Sequence, residues 1–192
     1  MLLDPALITG KVTRILETLN VRYFITGSLA STVHGMVRTT QDSDIVAELR
    51  QEHVETFIQQ LVDDFYIDSE MITRAIIQRS SFNIIHKESF FKVDLIIPKD
   101  RPYLQQQMSR ARRYTISSKP PSEAAVLSPE DTILSKLEWF RAGGDVSERQ
   151  WRDVLGILEV QAGNLDVDYL RRWAEELGVS DLFDRALLEA TL

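Results

Sequence analysis

The chain has 192 residues, 44% hydrophobic and 27% charged, with a net charge of −7 and no cysteine. That length suits one domain, or one domain with a small helical appendage, and its apolar content supports a sizeable core. The charge excludes a surface that is basic throughout, though not a local basic groove. The missing cysteine excludes disulfides, thiolate metal sites and a cysteine nucleophile, and fits a reducing cytoplasm.

The start, Met1-Leu2-Leu3-Asp4-Pro5, lacks the basic region and apolar run of a signal peptide. No apolar stretch is long enough to span a bilayer, so no membrane partner is expected. Asp4-Pro5 reads as a helix start, with Asp as N-cap and Pro at the first helical position. Leu7, Ile8, Val12, Ile15, Leu16 and Leu19 recur at helical spacing, which predicts a helix over 5–19. Tyr23 to Thr26 reads as a strand that Gly27-Ser28 breaks. Ser28 is placed to cap a helix running to about His34, ended by Gly35. Ser43 to Leu49 reads as a second strand and Glu52 to Leu61 as a helix. Phe65 to Arg79 is ambiguous between strand and helix. Ser81–His86 and Phe90–Ile97 read as paired strands joined across Lys87-Glu88-Ser89, with Pro98 closing the second.

Pro102 to Arg110 reads as a helix and Arg113 to Ser117 as a short strand. Lys119-Pro120-Pro121-Ser122 is linker-like. Ser128-Pro129-Glu130-Asp131 is a strong helix start. Helices are expected at about 129–141, 147–160, 166–177 and 180–190. The order indicates an α/β or α+β sheet layer with a helical C-terminal cap. The expected division is an α/β core over 1–118 and a helical part over 119–192 packed on it.

The chemistry concentrates in three carboxylates. Asp42 and Asp44 stand at i and i+2 at a strand start, so they face one side. Asp94 sits within Val93-Asp94-Leu95-Ile96-Ile97, where an acid is costly unless paired or metal-bound. Like charges repel, so such a cluster usually holds a cation. Mg2+ takes oxygen ligands and keeps several waters, so two or three carboxylates plus phosphate oxygens suffice. Read blandly, Asp-x-Asp is only a polar strand entry. Gly27-Ser28 supplies a turn and a helix N-terminus able to take phosphate oxygens.

Lys92 shares a strand face with Asp94. It reads as a phosphate contact, a neutraliser of the acids or a solvated edge lysine. Lys136, flanked by Ile133, Leu134 and Leu137, reads as solvated or as lying along a cleft wall. Arg149 and Asp153 have the spacing of an intrahelical ion pair. Trp139, Trp151 and Trp173 read as core or helix-packing residues, the alternative being base-stacking platforms. His34 reads as a site-lining residue, His53 and His86 as structural or solvated. Arg110, Arg112 and Arg113 read as a solvated face or an RNA-backbone contact.

Gly27-Ser28, the Arg38-x-Thr40-x-Asp42-x-Asp44 run and Lys92-x-Asp94 together resemble the nucleotidyltransferase superfamily that includes DNA polymerase β. Leu127-Ser128-Pro129-Glu130-Asp131 with Lys136, followed by Arg149-x-x-x-Asp153, resembles the AbiEii-type branch, toxins of bacterial type IV toxin–antitoxin systems. That branch often carries an acid where this chain has Gln150. The resemblance spans about residues 20–160 and implies an α+β fold, a small mixed sheet flanked by helices with a helical C-terminal part. It implies one or two Mg2+ ions on Asp42, Asp44 and Asp94, with Asp94 also able to act as general base. It implies an NTP held by Gly27, Ser28, Arg38, Lys92 and Lys136, with Arg149 and Asp153 in support. The reaction implied is transfer of an NMP to an acceptor hydroxyl on tRNA, a protein or a small molecule, with a cognate antitoxin as partner. The alternatives are an NTP-binding regulatory or complex-forming module without turnover, and a metal-dependent phosphohydrolase.

Overall fold

The computed structural model describes residues 4–35, 40–118 and 120–190. They divide into two compact units. One is drawn from 4–29 and 40–126, the other from 30–35 and 127–190.

Helix α1 (Pro5–Thr18) starts where Asp4 accepts a hydrogen bond from the Ala6 N–H at 3.0 Å. It buries Ile8, Val12, Ile15 and Leu16. Strand β1 (Tyr23–Thr26) runs directly into α2 (Gly27–His34). Strand β2 (Asp42–Ala47) follows, then a single 3-10 turn and α3 (Val54–Leu61). The ambiguous stretch splits into a two-residue strand, β3 (Phe65–Tyr66), and α4 (Ser69–Gln78). Asp68 caps α4 by accepting from the N–H groups of Glu70 and Met71. Strands β4 (Ser81–His86) and β5 (Lys92–Ile96) form the expected antiparallel pair, and α5 (Pro102–Arg110) follows.

The linker reading is overturned over 120–122 by a hairpin of β6 (Arg112–Ser118) and β7 (Pro121–Val126), while Lys119 lies outside the described residues. Pro121 is tolerated because the first residue of a strand need not donate to the ladder. Ser122, Ala124 and Val126 are buried and alternate with exposed Glu123, the period of a half-buried strand. The hairpin lies against α1, where a Cβ on Gly10 would stand 2.5 Å from the Ser122 hydroxyl.

Among the described residues these strands form one mixed sheet in the order β3-β4-β5-β2-β1-β7-β6. Two pairings, β2 with β5 and β1 with β7, are parallel, and the others are antiparallel. On one face Ser43, Ile45, Ala47, Phe82, Ile84, Val93 and Leu95 are buried. Helices α1 and α4 pack on β2 and β4, and the Phe57 ring of α3 meets Phe82 edge-on at 6.4 Å. Each large apolar side chain among them, such as Ile45, Phe82 or Leu95, contributes about 1.5–3 kcal/mol by leaving water. The opposite face carries Asp42, Asp44, Lys92 and Asp94, all half-buried, and exposed Asn83.

The second unit contains α6 (Pro129–Ala142), α7 (Glu148–Val160), α8 (Val167–Glu176) and α9 (Ser180–Glu189). Ser128 caps α6 through the Asp131 N–H at 3.1 Å, as its sequence implies. Asp131 is fully buried; Ser128 Oγ and Tyr169 Oη donate to its two carboxylate oxygens at 2.8 and 2.7 Å. Trp151 packs on Phe140 and donates to Glu189 at 2.6 Å. Trp139 departs from the packing expectation: it is 67% exposed, on the outward side of α6. No helix among the described residues is long and apolar enough to cross a membrane.

Candidate active site

The acid-bearing face is set by the pleat of β2. Ser43 points into the core, where its Oγ accepts from Thr9 Oγ1 of α1 at 3.0 Å. With Ser43 and Ile45 turned inward, Asp42 and Asp44 must both turn outward. Thr40 Oγ1 donates to the main-chain oxygen of Asp42 at 2.7 Å and to its carboxylate at 3.2 Å.

Strand pairing then aligns the site. Asp44 is in register with Thr26 of β1 on one side and with Asp94 of β5 on the other. Asp94 is in turn in register with Asn83 of β4. Asp42 lies opposite Lys92. Thr26, Asp44, Asp94 and Asn83 therefore form one row across four neighbouring strands, on one face.

Gly27 adjoins that row at the junction of β1 and α2. Its φ is +62°, and a Cβ there would stand 2.8 Å from Asp44 Cγ and overlap the carboxylate. Glycine is required twice over, for the left-handed backbone and for the missing side chain. Ser28 follows in the first turn of α2 and is 7% exposed.

Lys92 is not an edge lysine, since β5 lies between β4 and β2. Its ammonium pairs with Asp94 Oδ2 at 2.7 Å. The hydrogen bond to Asp94, and behind it the charges of Asp94, Asp42 and Asp44, raise the Lys92 pKa against the opposing effect of burial. All three carboxylates thus act on one cation. Among the described residues no three Asp, Glu or His side chains are gathered as a metal-holding group. The donor set is nonetheless hard oxygen on a common face, the chemistry that suits Mg2+.

In the helical unit, Lys136 of α6 pairs with Asp153 of α7 at 2.8 Å, their side chains 6% and 8% exposed. Lys136 is therefore not solvated. Arg149 is exposed on α7. His34 is 2% exposed, and its Nε2 lies 2.6 Å from the Leu127 carbonyl oxygen just before α6. Burial lowers its pKa, outweighing the Leu127 hydrogen bond and the charge of Glu130. Of the basic cluster, Arg113 pairs with Glu17 at 2.7 Å and Arg112 donates to main-chain oxygens. Arg38 lies outside the described residues. Asn83 was not evident from the sequence, because only the β4–β5 register brings it beside Asp94.

No protein-family model matches the chain, and no curated protein matches it in sequence. Solved structures do match in fold. The lincosamide antibiotic adenylyltransferase LnuA, bound to lincomycin, superimposes with a TM-score of 0.53 at 16% identity, covering 82% of this chain and 97% of that one. An antigenic nucleotidyltransferase-like protein from Paracoccidioides brasiliensis gives 0.56 at 15% identity, over 98% and 94% of the two chains. The antibiotic-resistance factor ANT(2'')-Ia gives 0.59 at 12% identity, over 96% and 98%. At these identities the likeness is one of architecture, and the chain has a nucleotidyltransferase-like fold.

Proposed function

We propose that the chain is a nucleotidyltransferase that moves an NMP from an NTP to an acceptor hydroxyl. The observation that carries this reading is the alignment of Asp44 with Asp94 across β2 and β5, beside a glycine that admits no side chain. In this reading Asp42, Asp44 and Asp94 hold Mg2+, which when bound neutralises phosphate charge and steadies the leaving oxygen. Gly27 and the first turn of α2 receive the triphosphate through main-chain N–H groups. Ser28 adds a hydroxyl, and Arg38 and Lys136 serve the nucleotide. Lys92 leaves Asp94 for a phosphate oxygen as the substrate arrives. Asp94 takes the proton of the acceptor hydroxyl, which attacks the α-phosphorus, and pyrophosphate departs. Arg149 and Asp153 support the site, Asp153 by fixing Lys136.

The acceptor is a hydroxyl on tRNA, a protein or a small molecule. The name of LnuA, a lincosamide antibiotic adenylyltransferase, supports the last. The AbiEii-type motifs support a toxin role with a cognate antitoxin. The test is incubation with α-labelled NTPs, Mg2+ and, in separate arms, total tRNA, cell extract and the lincosamide lincomycin. Label should pass to one acceptor with wild type and not with Asp94→Asn. Equal labelling by both would remove Asp94 from the chemistry.

A second reading, NTP binding without turnover, is favoured by the Lys92–Asp94 ion pair, which gives Asp94 a cation without a metal. Calorimetric NTP binding with no product would select it. Release of phosphate without an acceptor would select a phosphohydrolase instead.

A further inference from the structure

A second concave site lies in the sheet-bearing unit, beyond the C-terminal ends of the strands that carry the acids. The acids sit in the first half of β2 and at the middle of β5, whereas this cavity of about 390 Å3 is lined by Leu49 and Arg50 beyond the end of β2 and by Ile97 and Pro98 beyond the end of β5. Strand rise separates the two places by roughly 10–16 Å. The floor is apolar: Leu49 and Ile97 are each 2% exposed and Leu104 is 5% exposed. The rim is charged.

The rim charges do not cancel. Arg22 is committed to Glu48, with two hydrogen bonds of 2.8 Å. Arg50 has a 72% exposed side chain and a contact of 3.9 Å with Glu52. Arg79 donates Nη1 to the Pro98 carbonyl oxygen at 3.0 Å, which anchors the guanidinium at the cavity wall. Among the described residues its Nε and Nη2 have no protein acceptor. Arg79 also ends α4 in the left-handed conformation, at φ 49° and ψ 50°, where glycine is the unstrained choice. Against these two cations stands one further rim acid, Asp100.

An apolar floor, two guanidinium forks with donors to spare and one carboxylate able to accept from hydroxyls describe a specific ligand chemistry. The volume falls in the range of small-molecule sites. We infer that this cavity binds a nucleoside monophosphate, with Arg50 and Arg79 on the phosphate, the ring over Leu49 and Ile97, and Asp100 accepting from ribose hydroxyls. Arginine suits this role because its planar fork meets two phosphate oxygens at once. The inference stands apart from the transfer reading and survives its failure.

The test is a titration of the full-length 15N-labelled chain with AMP in excess EDTA, followed by amide shifts. Amides of Leu49, Arg50, Arg79 and Ile97 should shift saturably. Adenosine, which loses both arginine contacts, should bind about a hundredfold more weakly, and inorganic phosphate, which loses the ring, about tenfold more weakly. Arg50→Gln and Arg79→Gln should each weaken AMP by a similar factor, and Arg79→Lys, which keeps charge but loses the fork, should weaken it less. Arg50 is exposed, so Arg50→Gln remains informative if an Arg79 variant unfolds. Asp44→Asn should leave the binding unchanged. Unsaturable shifts, shifts indifferent to Arg50→Gln, or shifts abolished by Asp44→Asn would each overturn the inference.

Discussion

Gly27 and Asp44 occupy space that only one of them can fill: a Cβ on Gly27 would stand 2.8 Å from Asp44 Cγ. The β1–α2 turn and the middle carboxylate are therefore a single unit of construction. Gly27→Ala forces a side chain into the left-handed backbone at about 1–2 kcal/mol and pushes the Asp44 carboxylate aside. We expect a modest fall in the urea midpoint and a loss of transfer of about a hundredfold or more, the sensitivity of positioned groups to small displacements. Retained activity in a folded Gly27→Ala protein would show that Asp44 need not sit where it does.

On the proposed reading a divalent cation would have to compete with Lys92 for Asp94, because the ammonium already occupies Oδ2 at 2.7 Å. In Lys92→Met the three carboxylates lose that counter-charge and repel one another. The variant should be less stable than wild type in EDTA and should gain more thermal stability from Mg2+. The check is a pair of melting curves with and without metal. An equal Mg2+ response in both proteins would mean that the acids do not share a cation site.

The buried Lys136–Asp153 pair yields a different kind of prediction. Removing one partner leaves a charge uncompensated in a site less than a tenth exposed. Lys136→Met should cost about 3–5 kcal/mol in urea unfolding, and Lys136→Met combined with Asp153→Leu should recover much of it. If the single and double variants fall equally, the pair's value is packing and not charge.

What could be read from the chain follows the range of the interactions. Helix starts at Asp4-Pro5 and Ser128-Pro129 are local, resting on a cap and a proline within a few residues, and both stand as read. The alternation of Asp42, Asp44 and Val46 with Ser43, Ile45 and Ala47 is also local, and it placed two acids on one face. Strand β7 was hidden because Pro-Ser-Glu-Ala-Ala-Val has one β-branched residue, and its pairing with β6 and β1 supplies what propensity does not. The register that sets Asp44 beside Asp94 on one side and Asn83 beside Asp94 on the other joins residues apart in sequence. No spacing rule reaches it. The same holds for Lys136, whose burial depends on Asp153 of the next helix. Motif resemblance marked these residues as belonging together without giving the contacts.

The pH dependence of stability turns on His34. It is 2% exposed, and burial places its pKa below the ordinary 6.5. The unfolded chain therefore takes up a proton at a higher pH than the folded one. Above 6.5 the imidazole is neutral in both states, and its contribution to stability is fully present. As pH falls through 6.5 towards the lower folded pKa, the unfolded state gains protons first, and stability drops by up to about 1.4 kcal/mol per pH unit. Carboxylates also lose stability in acid, so the informative quantity is a difference between proteins. His34→Gln keeps an N–H donor for the Leu127 carbonyl and removes the titration. Urea unfolding at about pH 7.5 and about pH 5.5 should show wild type losing more stability than His34→Gln across that interval. If the two proteins lose equally, the His34 imidazole accepts its proton inside the fold as readily as in water, and the Leu127 carbonyl and Glu130 offset the burial.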